Sequence, residues 1–375
     1  MNTGDPAAGE PSPGLVPGRP SAPGGPPVSG GPSVSGRAPV PEPIGAADPR
    51  ARRYAADIVR LHERLRYGQL PAELTGNPLS LIEDAHGALV TVTGLDSQFP
   101  ARYLRGILGF RLAQYLGLSW ISADAVHRTA AFHEPLPHAR PTRAVENIHT
   151  VTLCGRTGRI RGYVGLACSA DAESLPLDSP RRTPFPTEAA HGVDLLGRYA
   201  RPGLGTHQAF EFKRFLRDQT LPRGEQYERV PWHLMLGVGE AMIALGDRVR
   251  VVLGDAKEHV ALRHLRLAGF DLHVVEGTSP SLSPSDPMAP IYHQEVVAKP
   301  FVAPVPTDVR WYREAVRSYL DGTGDLASRQ ALVAALAERK RTTTGTSPGP
   351  SPSPSPSSPP PPPPPPPSSE EGHRT

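Results

Sequence analysis

The sequence has few cysteines, few lysines and no long apolar run. Cys154 and Cys168 are its only cysteines, which is too few for a disulfide framework or a cysteine zinc site. No apolar stretch reaches the length of a membrane span, and the N-terminus lacks the basic patch and apolar core of a signal peptide. We therefore expect a cytoplasmic protein in a reducing compartment, with no membrane partner.

Several cofactor and metal motifs are also missing. There is no GxGxxG and no GxxxxGKS or GxxxxGKT, which argues against a dinucleotide-binding fold and a P-loop enzyme. His127, His133 and His138 lie close together in a segment typical of a loop, but their spacing is irregular and matches no HExxH motif. The sequence therefore predicts no metal site and no tightly bound cofactor.

Proline and glycine are abundant instead, and many of them lie at the two ends. The chain has 47 Pro and 37 Gly among 375 residues. Residues 1–49 and 341–375 contain hardly any large apolar side chains, so we expect both tails to be disordered. The polyproline stretch Pro359–Pro367 is either an inert tail or a ligand for a proline-binding module. The remaining residues, 50–340, are enough for one large domain.

The central feature is Phe210–Phe215, in which aromatic residues alternate with charged ones. This period of two predicts a strand with one apolar and one polar face. Glu211 and Arg214 place opposite charges close together on it. A loop, 217–230, follows, and then an apolar helix that we expect to run from Pro231 to Leu245. We therefore expect chemistry where the polar face of this strand meets the loop and the start of the helix.

Periodicity elsewhere predicts alternating helices and strands. The predicted order is helix, strand, helix, hairpin, strand, helix, strand, helix, strand, strand. The hairpin joins 147–154 to 159–168 through a Gly-Arg-Thr-Gly turn. Residues 169–205 are a long irregular connection, which in a compact domain usually covers a site or is mobile. The predicted fold class is α/β (α+β), a mixed central sheet flanked by helices.

The segment from Phe210 to Val275, with Leu-Arg-Leu-Ala-Gly-Phe at 265–270, resembles the GNAT acyltransferase fold. Within GNAT the similarity is greatest to the autoinducer (acyl-homoserine lactone) synthase branch. That branch has a Glu-x-x-Arg on its central strand, which Glu211 and Arg214 match. It also has an Arg, a Phe, a Trp and acidic residues in the preceding part of the chain. The matching residues here are Arg105, Phe110, Trp120, Asp124 and Glu146.

The resemblance implies an acyltransferase. Its catalytic residues would be Glu211, Arg214 and Arg105, and its acceptor-binding residues would be Phe110, Trp120, Asp124 and Glu146. From the residues alone, Glu211 is a general base, a group that ties down the acceptor, or half of a structural ion pair with Arg214 or Arg105. We expect the acceptor to be a small molecule with an amine or hydroxyl group, in specialised metabolism such as antibiotic biosynthesis.

The sequence departs from the family in the region that would bind the donor. The GNAT pyrophosphate loop is missing, and the loop after the central strand offers only Arg223 and Gly224. We expect these two residues, the N–H groups at the helix start and Trp232 to bind the donor. Lys213 stands where the branch has Ser, and Gly165-Leu166 where it has an Arg.

Three functions therefore remain open. The first is an acyltransferase with acyl-CoA as co-substrate, and the second uses an aminoacyl-tRNA, with tRNA as a partner. The third is a non-enzymatic protein that presents its Pro-rich tail. Four of the 40 basic residues are lysines, so 36 are arginines, whose planar fork suits phosphate. The arginines near the expected site in sequence are Arg217, Arg223, Arg229, Arg248, Arg250, Arg263 and Arg266.

Overall fold

The structure, a computed structural model, describes residues 49–85, 87–121, 145–199, 201–282, 298–307, 309–322 and 325–345. Residues 1–48 and 346–375, which make up most of the two Pro-rich tails, lie outside these ranges, as do the three loop histidines and Asp124. Residues 341–345, predicted to belong to the disordered tail, are helical. None of the helices within the ranges is long and apolar enough to cross a membrane.

The described elements alternate much as the sequence predicts. The strands are β1 (Ser80–Glu83), β2 (Leu89–Leu95), β3 (Ile148–Cys154), β4 (Ile160–Cys168), β5 (Ala209–Arg217), β6 (Val251–Ala256), β7 (His273–Val274) and β8 (Lys299–Pro304). The helices are α1 (Pro49–Arg64), α2 (Leu70–Glu73), α3 (Ala101–Gly117), α4 (Pro186–His191), α5 (Leu195–Arg198), α6 (Glu225–Leu245), α7 (Arg263–Leu267), α8 (Arg310–Asp321) and α9 (Leu326–Gly345).

The strands form one sheet in the order β1-β2-β3-β4-β5-β6-β8-β7. Neighbouring strands are antiparallel except β5 and β6, which are parallel. A parallel pair needs a crossover, and α6 supplies it between β5 and β6. The structure therefore confirms the predicted fold class, a mixed sheet flanked by helices.

One face of the sheet is covered by α6, with α8 and α9 packed beyond it. The apolar side chains of α6, from Trp232 to Leu245, join those of β4, β5 and α8 in one core. The helix approaches the strands most closely at Gly237, where a Cβ would lie 2.7 Å from Thr150 and 2.8 Å from Thr93. Glycine is needed at this crossing because any side chain would separate the helix from the sheet.

The opposite face has two covers. Helices α1 and α3 pack over β2, β3 and β4 and form a core that includes Val151, Tyr163 and Leu216. A second cover, the segment 169–199 that contains α4 and α5, packs over β5, β6 and β8. Between these two covers the middle of the sheet is left accessible from one side, and the candidate site lies there.

One predicted helix boundary is wrong. Helix α6 begins at Glu225, and Pro231 lies inside it, because the turns before the proline are anchored by the buried side chains of Arg229 and Val230. Strand β6 includes Asp255, since pairing with β8 continues as far as Ala256. A π-helical turn, 258–262, follows.

Candidate active site

A bulge in β5 sets the geometry of the site. β5 pairs with β4 through Leu216↔Tyr163 and Lys213↔Gly165, so three steps along β5 match two along β4. The extra residue lies at Arg214, whose φ of 60° is in the left-handed region. Side chains beyond Arg214 therefore exchange faces relative to a regular strand.

The bulge explains the spacing of the three phenylalanines in β5. All three contribute to the core beneath α6, at intervals of two and then three residues, whereas Leu216 belongs to the core beneath α3. They are Phe210, Phe212 and Phe215. In a regular strand Glu211 and Arg214 would point to opposite faces, because three positions separate them. With the bulge, both line one cleft.

The cleft has a volume of about 270 Å³ and lies over β3, β4 and β5. Arg111 of α3 forms part of one side, and residues 183–186 of the second cover form part of the other. Its polar lining residues are Arg111, Asn147, His149, Tyr163, Thr183, Glu211, Lys213 and Arg214. The cleft therefore gathers titratable groups from four elements of the fold.

Both oxygens of Glu211 face groups of the protein. The side chain is 2 % exposed, and Oε1 accepts hydrogen bonds from the backbone N–H and the hydroxyl of Thr187, at 2.9 and 2.6 Å. Oε2 lies 2.9 Å from Nζ of Lys213, two residues along the same strand face. The ion-pair partner of Glu211 is thus Lys213, where the sequence suggested Arg214 or Arg105.

Thr187 is kept in place by a buried carboxylate in the second cover. Glu188 accepts the backbone N–H groups of Phe185, Leu195 and Leu196, at 2.9 to 3.0 Å. Arg182 adds two hydrogen bonds to the same carboxylate, at 2.6 and 2.8 Å. A long connection with little regular structure is held in this way, and its residues 183–186 line the cleft.

A second group of side chains extends from the cleft to the turn after β2. Nε2 of His149 lies 2.6 Å from Oδ1 of Asp96, and Nδ1 of His149 lies 2.9 Å from the hydroxyl of Tyr163. Burial raises the pKa of Asp96, but hydrogen bonds from His149 and Asn147 outweigh burial and lower it overall. Asp96 is therefore a carboxylate at neutral pH, and it accepts a hydrogen from His149.

Sequence reasoning missed this second group. His149 lies in a β-branched run and Asp96 in a turn more than 50 positions earlier, so no spacing connects them. Pairing of Leu95 with Ile148 places them side by side. The one available signal was a lone histidine on the face of β3 that does not carry Thr150 and Thr152.

Several sequence-predicted residues do not line the cleft. Arg105 is exposed on α3, and it is Arg111, six positions later, that lines the cleft. Phe110 is buried in the core beneath α3, with its ring 5.4 Å from that of His62. Trp232 is buried beneath α6, with its ring 4.7 Å from that of His264. These placements indicate packing roles for the two aromatic residues.

Two further predicted residues lie near the site without lining the cleft. Glu146 accepts hydrogen bonds from the N–H and hydroxyl of Ser97, at 2.8 and 3.0 Å, and so fixes the turn that carries Asp96. Trp120 is partly buried, and Nζ of Lys257, just after β6, lies 5.6 Å from the centre of its ring. Trp120 is thus placed at the carboxyl end of β6.

The predicted donor residues Arg223 and Gly224 are exposed at the start of α6. Gly224 is the N-cap and offers no side chain, and no atom lies within 4 Å of where its Cβ would be. Nearby, Arg217 at the end of β5 stacks on the ring of Tyr227, 3.1 Å from its centre. Backbone N–H groups at a helix start attract anions, so this end of α6 is suited to phosphate.

The parallel strands β5 and β6 cease to pair beside the cleft. Their pairing runs from Ala209↔Val251 to Phe212↔Gly254, although β5 continues to Arg217 and β6 to Ala256. At the last pair, a Cβ on Gly254 would lie 2.8 Å from the carbonyl oxygen of Phe212. Beyond this pair the carboxyl ends of β5 and β6 no longer pair with each other, and β5 continues beside β4 while β6 continues beside β8.

Among the residues that the structure describes, no group of three or more His, Cys, Asp or Glu side chains is arranged to hold a metal ion. Cys154 and Cys168 are both buried, unbridged thiols. The chemistry available in the cleft is therefore that of carboxylates, an imidazole, a phenol and cationic side chains.

No protein-family model matches the chain, and no curated protein matches it. Solved structures do. A CoA-dependent acyl-homoserine lactone synthase, BjaI, solved with SAM and isopentyl-CoA, has 15 % sequence identity over 63 % of this chain and 94 % of its own, with a TM-score of 0.31. The acyl-homoserine lactone synthase LasI has 13 % identity over 59 % of this chain and 92 % of its own, with a TM-score of 0.35.

A GCN5-related N-acetyltransferase from Brucella melitensis has 10 % identity over 72 % of this chain and 99 % of its own, with a TM-score of 0.33. The similarity to all three structures is at low sequence identity. What the cleft does depends on its own residues, because proteins that share a fold need not share a reaction.

Proposed function

We propose that the protein is an acyltransferase that moves an acyl group from a thioester donor of the acyl-CoA type to an amine or hydroxyl of a small-molecule acceptor. The observation that carries this proposal is the parting of β5 and β6 after Phe212 and Gly254, next to a cleft lined by Glu211, Lys213 and Arg214. A donor arm and an acceptor would meet where these two features adjoin.

The parted strands suit an extended donor arm. A chain that carries amide groups binds along the edge of a strand by main-chain hydrogen bonds, as an added strand does. The arm of a CoA thioester is such a chain. Strand β5 leads at its carboxyl end into the loop before α6, where Arg223 and the helix N-terminus would receive the diphosphate of the donor. Both ends of a thioester donor then have a place on one continuous stretch of chain.

The cleft suits a small polar acceptor. Its volume of about 270 Å³ is near the lower end of ordinary ligand pockets. In this proposal Glu211 orients Lys213, and Arg214 and Arg111 bind polar groups of the acceptor or of the reacting carbonyl. Cationic groups fixed beside a carbonyl stabilise the oxyanion that forms when the acceptor attacks it.

The described arginines are arranged less well to bind the alternative donor, an aminoacyl-tRNA. Arg229 is buried, 3.9 Å from the carboxylate of Asp84. Arg250 pairs with Asp247, and Arg266 pairs with Glu258. Three of the arginines that the sequence offered to tRNA are thus engaged within the fold. This observation favours the thioester donor, which needs few cationic contacts.

The test is the release of free thiol from a panel of acyl-CoA thioesters, with a mixture of amines as acceptors, after ribonuclease treatment of the protein. We expect transfer to persist. Arg223→Gln should raise the KM for the donor about tenfold, because one phosphate contact is lost, whereas Arg60→Gln, an exposed site on α1, should not change it. Loss of transfer on ribonuclease treatment, restored by charged tRNA, would replace the thioester with the tRNA donor.

The salt dependence of donor binding distinguishes the two donors independently. A thioester donor offers a few phosphates, so its affinity should weaken modestly between low and physiological salt. A tRNA releases a counterion for each phosphate neutralised, and its affinity would fall steeply and linearly on a log–log plot. Absence of transfer from either donor would leave a binding protein as the remaining function.

A further inference from the structure

We propose that Asp96, His149 and Tyr163 form a proton relay, in which Tyr163 takes the proton of the acceptor as the acyl group is transferred. The reaction in this proposal rests on the proposed acyltransferase function. The relay itself rests on the hydrogen-bond geometry, which stands independently of that reaction. Tyr163 is the catalytic residue, and Asp96 is a positioning residue that acts through His149.

The direction of the relay follows from the chemistry of its ends. An ionised Asp96 has acceptor oxygens only, so Nε2 of His149, at 2.6 Å, must carry the hydrogen that joins them. In a neutral imidazole the other nitrogen is then an acceptor. Nδ1 therefore accepts the hydrogen of the Tyr163 hydroxyl, at 2.9 Å. The Tyr163 oxygen retains lone pairs that can receive a proton from the cleft.

The relay is placed where a reacting acceptor would lie. Both His149 and Tyr163 line the cleft, on the sheet face that Glu211 and Lys213 also share. The hydroxyl of Tyr163 reaches this position because residue 165 is a glycine, where a Cβ would lie 2.7 Å from the hydroxyl oxygen. The guanidinium of Arg111 lies 5.9 Å from the centre of the Tyr163 ring and offsets negative charge developing on it.

Glu211 already faces groups of the protein with both of its oxygens. Oε1 receives two hydrogen bonds from Thr187, and Oε2 faces Nζ of Lys213 at 2.9 Å. The geometry assigns Glu211 to positioning Lys213, and leaves proton transfer to Tyr163.

The proton transfers balance over one cycle. The acceptor nitrogen or oxygen attacks the thioester carbonyl, and its proton moves to the Tyr163 oxygen while the Tyr163 proton moves to Nδ1 of His149. The imidazolium so formed is stabilised by Asp96, as in other carboxylate–imidazole–hydroxyl arrangements. When the tetrahedral intermediate expels the thiolate, His149 returns its proton to Tyr163, and Tyr163 delivers one to the thiolate. The products are the acylated acceptor and a free thiol.

The pH dependence of turnover depends on the titratable and charged groups that face His149. They are Asp96, Glu146, Tyr163, Arg111, Glu211, Lys213 and Arg214. Only a neutral His149 can receive the proton, so turnover should fall on the acidic limb of the pH profile. Removing the charge of Asp96 disfavours the imidazolium, and should move that acidic limb to lower pH.

The first experiment does not depend on any activity. Side-chain ¹⁵N NMR of the full chain, with the His149 signals assigned by their loss in His149→Gln, reports which ring nitrogen is protonated. We expect Nε2 protonated and Nδ1 unprotonated at neutral pH, with the Nδ1 signal shifted in Tyr163→Phe. The matched control is Tyr312→Phe, a buried tyrosine whose hydroxyl has no hydrogen-bond partner among the described residues. A proton on Nδ1 would overturn the relay, whatever the protein catalyses.

The second experiment measures thiol release from an acyl-CoA. Tyr163→Phe should lower kcat by about 10² or more with little change in KM, and Tyr312→Phe should leave both unchanged. Asp96→Asn should lower kcat and move the acidic limb of the pH profile to lower pH. Full turnover in Tyr163→Phe would overturn the relay while the acyltransferase function stands. If the wild-type chain transfers no acyl group, the proposed function fails, and the NMR result alone decides whether the relay exists.

Discussion

Two buried histidines lie on opposite faces of the sheet, and each has a hydroxyl on one nitrogen and a carboxylate near the other. Nε2 of His149 lies 2.6 Å from Asp96 on the cleft face. Nε2 of His233 lies 3.8 Å from Asp84 beneath α6, too far for a hydrogen bond. The same residue types thus form a connected chain on one face and only a loose cluster on the other.

The difference comes from what else each carboxylate binds. Asp84 already accepts the backbone N–H groups of Ala88 and Leu89, at 2.7 and 3.2 Å, and Arg229 lies 3.9 Å away. Burial, aided by Arg229, lowers the pKa of His233 to about 3, so His233 stays neutral. Its side chain is fully buried, and its Nδ1 meets the hydroxyl of Thr91 at 3.1 Å. Distance and access, rather than residue type, separate a relay from a packing cluster.

The largest expected effect comes from making the same change at both histidines. His149→Gln should lower kcat by about 10² to 10³, because the relay loses its proton acceptor, and should also cost roughly 1–3 kcal/mol of unfolding free energy, because buried hydrogen bonds to Asp96 and Tyr163 are disturbed. His233→Gln should cost a similar amount of unfolding free energy, because it disturbs a buried hydrogen bond to Thr91, but leave kcat of the folded protein unchanged. Denaturant unfolding and kcat are measured on both. Equal losses of kcat would contradict the comparison.

The two carboxylates Glu211 and Asp84 extend the contrast. Glu211→Gln keeps an oxygen that can accept from Thr187, but loses the charge that pairs with Lys213, so turnover should fall by roughly tenfold to 10² while the fold persists. Asp84→Asn should cost about 1–3 kcal/mol of unfolding free energy, because one backbone N–H then faces an amide donor. A folded Glu211→Gln protein with full activity would remove this residue from the mechanism.

Arg214 tests whether the bulge serves the cleft or the fold. Its φ of 60° costs a non-glycine residue about 1–2 kcal/mol, which glycine would not incur. Arg214→Gly should therefore change the unfolding free energy by no more than about 1 kcal/mol, yet reduce turnover severalfold. The control is Ser119→Gly, at the other described non-glycine residue with positive φ, 55°, which should leave turnover unchanged. A large loss of stability in Arg214→Gly would show that the arginine holds the bulge together.

The last difference lies in the pH dependence of stability. The pKa of His233 is lowered on folding, so its contribution is present above the unfolded pKa and is lost between roughly pH 6.5 and about 3. Asp96, whose pKa is also lowered, contributes above its usual pKa of 3.8 and loses that contribution only below it. Unfolding free energies measured from pH 7 to 4 should lose part of their slope in His233→Gln. Asp96→Asn should keep the slope over most of that range.

Much of the fold follows from local patterns. The hairpin of β3 and β4, helix α3 after Pro100 and the apolar character of α6 are visible as runs of period two or as apolar segments bounded by Gly and Pro. Glu211 is visible in the sequence for the same reason, because it is a carboxylate between two phenylalanines of a strand. These features depend on neighbours within a few residues, and such neighbours are what a sequence displays directly.

Periodicity in the sequence predicts the mixed sheet flanked by helices and marks β5 as the strand that carries Glu211. The expected partner of that strand is wrong, because the cleft is lined by α3, β3, β4 and residues 183–186 rather than by the loop 217–230 and the start of α6. Which charges face each other is set by the tertiary fold. Strand pairing places Asp96 beside His149, and one extra residue in β5 brings Arg214 to the side of Glu211. The packing of α3 on the sheet places Arg111, rather than Arg105, at the cleft. Each outcome depends on register, and a shift of one residue along a strand exchanges its faces without changing the composition or the local pattern.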